Sequence, residues 1–306
     1  MTVAVLFPGQ GAASAAMGLA LAERFDPARQ LLALAGEAAG VDALRLLARG
    51  GRALDRTEVL QPVLTAVCLG AWEALKSAGL RPRFVAGHSL GELGAAVAAG
   101  ALEAPEAIRL AAVRGRLMGE AAAREPGGML ALQTGDWRQV AAALRRGRRA
   151  GWIGLAARNA PDEWVLSGAP LALAAAAAGV PGERLRVAGA WHSRAMDPAV
   201  DPLERALRER CRRPSAATMV VNRTGRPLGE RDELPAILAA QLTHPVRWTA
   251  TLGYLVGEGV ADWVTAGPGK IVRALLRRTA GASARVHGTE DFADFSRTVE
   301  ALCPPS

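Results

Sequence analysis

Ser89 stands in Gly-His-Ser-Leu-Gly, residues 87–91, with a glycine two positions before it and another two positions after. A short apolar run precedes this segment and an Ala/Val-rich, helix-like run follows it. Strand, sharp turn and helix around such a serine make a nucleophile elbow. Gly87 and Gly91 let the chain reverse tightly, and the helix N-terminus turns its free N–H groups toward any oxyanion that forms. The pentapeptide alone is a weak signal in a chain with 34 glycines, where it could mark a simple turn. Its setting between a strand and a helix gives it weight.

A serine nucleophile needs a base. The chain has four histidines: His88, His192, His244 and His287. His88 adjoins Ser89, and neighbouring side chains on a sharp turn diverge. His244 precedes a proline, which favours an extended surface position. His287 lies in a polar C-terminal stretch with no turn or partner signal. His192, in "GAWHSRAM", falls where a small central unit returns to the rest of the chain, so it faces a cleft. It is the base this reading selects; the competing role is a buried structural histidine.

The elements that must position these residues follow from hydrophobic periodicity. Residues 3–7, 83–86, 218–222 and 262–267 read as short buried strands. Helical runs cover 61–78, 91–99, 105–123, 202–212 and 246–257. Alternating strands and helices predict an α/β fold with a mostly parallel sheet, whose ligands bind beyond the carboxyl ends of the strands. Three glycine-rich turns, "GQG", "GHSLG" and "GPGK", are placed to converge there. The middle of the chain reads differently. Strand-like 127–134, helical 136–147, a strand-turn-strand at 154–168, helical 169–179 and strand-like 184–189 give the ferredoxin-like order β-α-β-β-α-β. The expectation is a large α/β-hydrolase-like domain, residues 1–121 and 191–306, with a small α+β domain, residues 122–190, inserted into it.

Composition narrows the class. The 306 residues carry a net charge of +8, nearly all of it arginine. The arginines cluster at Arg145, Arg146, Arg148 and Arg149, at Arg205, Arg208, Arg210, Arg212 and Arg213, and at Arg273, Arg277 and Arg278. Solvated helix faces are one reading of these clusters; a docking surface for an acidic or phosphorylated partner is the other. No aromatic residues interleave with them as in an RNA-binding module, so no nucleic-acid partner is expected. Cys68, Cys211 and Cys303 are scattered, with no metal-ligand spacing, and fit reduced thiols in the cytoplasm. No secretory leader and no membrane span are expected. A monomer is the default, and the last residues, "ALCPPS", read as loosely held.

Six segments in order resemble malonyl-CoA:acyl carrier protein transacylases and the related acyltransferase domains of polyketide synthases. They are "FPGQG" at 7–11, "GHSLGE" at 87–92, "RLAAVRGRLMGEA" at 109–121, "GAWHS" at 189–193, "QLTHPVRW" at 241–248 and "AGPGK" at 266–270. The resemblance implies that Ser89 is acylated by a thioester while His192 takes its proton. It implies that a main-chain carbonyl of the Gln241–Val246 segment orients His192, without an acid. It places the oxyanion on the backbone N–H groups of Gln10 and Leu90. By itself an arginine at 114 reads as a surface residue bordering the apolar stripe of its helix. The resemblance makes it the clamp for the malonyl carboxylate, through the paired hydrogen bonds that a guanidinium offers. Gln241 and Asn159 would line the same pocket. Trp191 would stand where malonyl-specific relatives often carry Phe, leaving little room for an α-methyl group. Ala13 and Leu93 depart from the family pattern. No permanently bound cofactor is implied; malonyl-CoA is a substrate, and an acidic, phosphopantetheinylated acyl carrier protein is the partner. Rival readings are an acyl-thioester hydrolase on the same frame, an unrelated esterase, and an inactive binding module.

Overall fold

The computed structural model describes residues 2–281 and 284–303. Among the described residues ten strands build two sheets: β1 (Val3–Phe7), β2 (Phe84–Gly87), β3 (Gly128–Gln133), β4 (Ile153–Ala160), β5 (Glu163–Gly168), β6 (Gly182–Arg184), β7 (Thr218–Val221), β8 (Arg226–Pro227), β9 (Asp262–Thr265) and β10 (Arg285–His287). The larger sheet runs β10-β9-β1-β2-β7-β8. Its first five strands pair in parallel, and only β8 returns antiparallel at the edge. The residues of β1, β2 and β9 are all buried, as expected of strands covered on both faces. The helices Asp26–Ala39, Thr57–Ser77 and Ala104–Arg124 pack against one another. Thr57–Ser77 is long and apolar enough to cross a membrane by composition, but most of it lies inside this packing.

The second sheet has the order β4-β5-β3-β6, with every pairing antiparallel. In chain order that is 2-3-1-4, the ferredoxin-like arrangement, and the helices Trp137–Ala150 and Pro170–Ala177 pack side by side in it. It has its own apolar cluster around Leu132, Val140, Leu166 and Leu173.

Two sequence expectations need correction. The segment 184–189 is not a strand: pairing with β3 covers Gly182–Arg184, and Leu185 adds one further backbone bond to Met129. Leu185 and Val187 then line a cavity, so their alternation reports the cavity wall and not a sheet face. His287 is not partnerless. It lies on β10, with Nε2 3.1 Å from Asp262 Oδ1. Three residues are too short a run for periodicity to reveal. The tail expected to be loose begins within the helix Phe292–Leu302; residues 304–306 lie outside the described residues.

Candidate active site

β1, β2 and β9 end side by side, so the turns that follow them meet at one edge of the larger sheet. Packing there explains the glycines. A Cβ on Gly87 would lie 1.9 Å from the carbonyl carbon of Gly91, and one on Gly91 would lie 2.1 Å from the Phe7 oxygen. Among the described residues only three non-glycine residues have positive φ, and Ser89 (52°) and His192 (58°) are two of them. Such conformations cost energy and persist only where the surroundings impose them. For Ser89 the restraint is visible. Asn222, at the end of β7, accepts the Ser89 N–H at 2.7 Å through Oδ1 and donates to the Gly87 carbonyl at 2.6 Å through Nδ2.

Ser89 Oγ lies 2.8 Å from His192 Nε2. His192 Nδ1 lies 2.9 Å from the Gln241 carbonyl oxygen. A carbonyl only accepts, so Nδ1 carries the proton and Nε2 is left free to take one from the serine. Burial, then the charge of Arg114, push the His192 pKa down to about 3, so the ring is neutral at physiological pH. Arg114 is buried, at 3% exposure, and not on the surface. One Nη donates to Gln61 Oε1 at 2.7 Å; the other donates to Ser89 Oγ at 3.1 Å and to Gln241 Oε1 at 3.0 Å. No carboxylate lies within ion-pair distance of it among the described residues. Burial lowers its pKa to about 10, opposed by the charge of Glu92.

A cavity of about 270 Å³ opens at Ser89 and His192. Gln10, Trp191, Asn159 and His88 line it with the apolar side chains of Met129, Val165, Val272 and Leu275. No hydrogen bond engages the backbone N–H of Gln10 or Leu90 among the described residues. The geometry therefore gathers Ser89, His192, Arg114, Gln241, Trp191, Asn159 and Gln10, with Leu90 following the serine. His88 turns away from the serine toward Asn159, and His244 is exposed, as the sequence suggested.

Four polar residues escaped the sequence reading. Glu92 is buried; it accepts the Asn222 N–H at 2.6 Å and a short bond from Gln241 Nε2. Burial raises its pKa to about 7. Its place in the first turn after the elbow was a usable signal. Asn222 and Gln61 each interrupt an apolar run at a buried position, which was a weaker one. Glu163 had none, because it looks like a turn residue.

Such a serine, activated by a neutral imidazole and faced by unengaged N–H groups, is the equipment of an enzyme that carries an acyl group as a serine ester. The chain belongs to the acyl transferase domain family, whose model matches residues 5–290. It is 32% identical over 284 residues to a malonyl CoA-acyl carrier protein transacylase of Bacillus subtilis, covering 90% of each chain. The crystal structure of the corresponding enzyme of Clostridium perfringens superposes with a TM-score of 0.91 at 26% identity, over 99% of this chain and 97% of that one. A malonyl-transacylase solved in complex with a holo type II polyketide-synthase acyl carrier protein also superposes at 0.91, with 29% identity, over 98% of this chain and all of that one (100%).

Proposed function

We propose that this protein transfers malonyl from malonyl-CoA to the phosphopantetheine thiol of an acyl carrier protein by a ping-pong route. One observation carries the choice of malonyl: Arg114 is a buried guanidinium beside the nucleophile, with no carboxylate within ion-pair distance among the described residues. Leaving a buried charge unpaired is costly, and a free carboxylate on the acyl group supplies the missing partner.

In the first half-reaction His192 Nε2 takes the Ser89 proton as Oγ attacks the thioester carbon. The oxyanion rests on the N–H groups of Gln10 and Leu90. Collapse breaks the C–S bond, and the CoA sulfur leaves with the proton from His192. Malonyl remains as an ester on Ser89. In the second half-reaction His192 takes the proton of the carrier thiol, the sulfur attacks the ester, and Ser89 Oγ leaves with that proton. The malonyl carboxylate also neutralises Arg114, which relieves its pressure on His192 and makes the base stronger once substrate is in place. Gln241, Asn159 and Trp191 shape the acyl pocket. We assign residues 1–121 and 191–306 to the catalytic domain and 122–190 to the small domain that closes the cavity. The enzyme works as a single chain in the cytoplasm and needs no bound cofactor.

Intact-protein mass after brief exposure to malonyl-CoA tests this. The expected result is a malonyl increment, absent in Ser89→Ala and discharged by a holo carrier protein. Steady CoA release without a carrier would indicate a hydrolase. No adduct and no CoA release would leave a binding module.

A further inference from the structure

Glu163 lies at the start of β5, at the cavity wall, with no hydrogen bond to Ser89 or His192 among the described residues. Its Oε1 accepts from Asn159 Nδ2 at 3.0 Å. Its Oε2 accepts from Arg278 Nη1 at 2.7 Å and from Gln133 Nε2 at 3.4 Å. Arg278 belongs to the helix Lys270–Ala280, which sends Val272 and Leu275 into the same cavity and also binds Asp162. Two ion pairs, to Asp162 and Glu163, thus join a helix of the larger sheet to the β4–β5 hairpin of the smaller one.

The order of donors along this line is fixed by chemistry. A carboxylate only accepts, so the Asn159 amide must turn its NH₂ toward Glu163. Its Oδ1 is then left for His88, 2.9 Å from Nε2. An oxygen can only accept from that nitrogen, so His88 is held as the neutral tautomer with its proton on Nε2. Burial favours the neutral ring in the same direction. The ring packs edge-to-face with Trp248, with centroids 5.3 Å apart, and lines the cavity beside the elbow.

We propose that Glu163 is a positioning residue: pinned by Arg278, it fixes Asn159 and, through Asn159, the His88 ring that forms the wall for the thioester arm shared by both substrates. The inference rests on the transacylase reading for what passes along that wall. The Glu163–Asn159–His88 linkage itself stands on geometry. The charged and titratable groups around Glu163 are Arg278 from the helix, Asp162 from the hairpin and His88 across Asn159; Arg278 holds its carboxyl below the ordinary value, against the effect of burial.

Two readouts test it. In the free protein, imidazole ¹⁵N NMR, assigned with His88→Gln, should show His88 as a single Nε2-protonated tautomer. Glu163→Leu should average the tautomers, and Glu163→Gln, which keeps an oxygen for Asn159, should restore the single form. In malonyl loading, Glu163→Leu should raise KM about tenfold with kcat within about twofold, and Glu163→Gln should recover most of the loss. Arg278→Met should shift both readouts the same way, less far, and serves if Glu163→Leu does not fold. A wild-type His88 signal and KM in Glu163→Leu, or in Arg278→Met where only that variant folds, would overturn the proposal. So would a Glu163→Gln protein that behaves like Glu163→Leu. If the wild type never loads malonyl, the transacylase reading fails, and the NMR comparison still decides the linkage.

Discussion

Ser89, His192 and Arg114 form a unit: His192 and Arg114 both contact the serine hydroxyl, and the Arg114 charge adds to burial in lowering the His192 pKa. Replacing His192 by Ala removes the base and should slow malonyl loading by about 10²–10⁴-fold, read by quenched-flow mass spectrometry. Arg114→Ala should act differently. Acetyl-CoA and malonyl-CoA should then load at similar rates, because only malonyl has a carboxylate to lose. The acid limb of the loading rate should also move to higher pH in that variant. Arg114 lowers the His192 pKa, so its removal lets the ring protonate, and stop acting as a base, at a higher pH. A clamp that merely bound substrate would leave the free-enzyme limb in place.

The elbow and its supports set the requirements at the scale of elements. β2, the turn and the helix Gly91–Ala98 fit only because Gly87 and Gly91 have no side chains. Gly91→Ala drives a methyl into the end of β1 and should cost roughly 3 kcal/mol, a fall in Tm on the order of 10 °C read by calorimetry. The same layer sets the pH dependence of stability. His88 and His192 have lowered pKa values, so below about 6.5 the unfolded chain binds more protons there and stability falls with acid. Glu92 has the opposite sign. Its pKa is raised to about 7, so its contribution is present below 4.5 and lost as pH rises through about 7. Two histidines outweigh one carboxyl, so the urea midpoint should be lower at pH 5 than at pH 7. Glu92→Gln removes the offset and should steepen that drop.

Across the whole molecule the basic clusters are not equivalent. Arg208, Arg210 and Arg212 face Glu204, Glu106 and Glu103, while Arg273 and Arg278 face Glu290 and Glu163. On the helix Trp137–Ala150, Arg146 binds backbone carbonyls, and Arg145, Arg148 and Arg149 have no carboxylate partner among the described residues. Arg205, Arg213 and Arg277 also lack a carboxylate partner among the described residues, but the Trp137–Ala150 cluster holds the most such charges and, on the proposed transfer, is the one suited to steering an acidic carrier. Charge reversal at Arg145, Arg148 and Arg149 should lower kcat/KM for the carrier and flatten its salt dependence, while malonyl loading from malonyl-CoA stays unchanged.

The main sheet, the ferredoxin-like order of the smaller sheet, the elbow and the serine–histidine pairing were legible in the chain, because each rests on local patterns: apolar period, glycine spacing, a junction histidine. Edge pieces such as β8 and β10 were not, since two or three residues carry no period. What tertiary structure alone decided is the company each polar group keeps. The sequence put Arg114 at the border of a helix stripe, and packing buried it with two glutamines from distant segments. It presented Glu163 as a turn residue; the β4–β5 hairpin gave it Asn159, and the packing of the two sheets brought Arg278. Periodicity is a property of neighbours along the chain, whereas a buried hydrogen bond depends on donors and acceptors that meet only when separate elements pack.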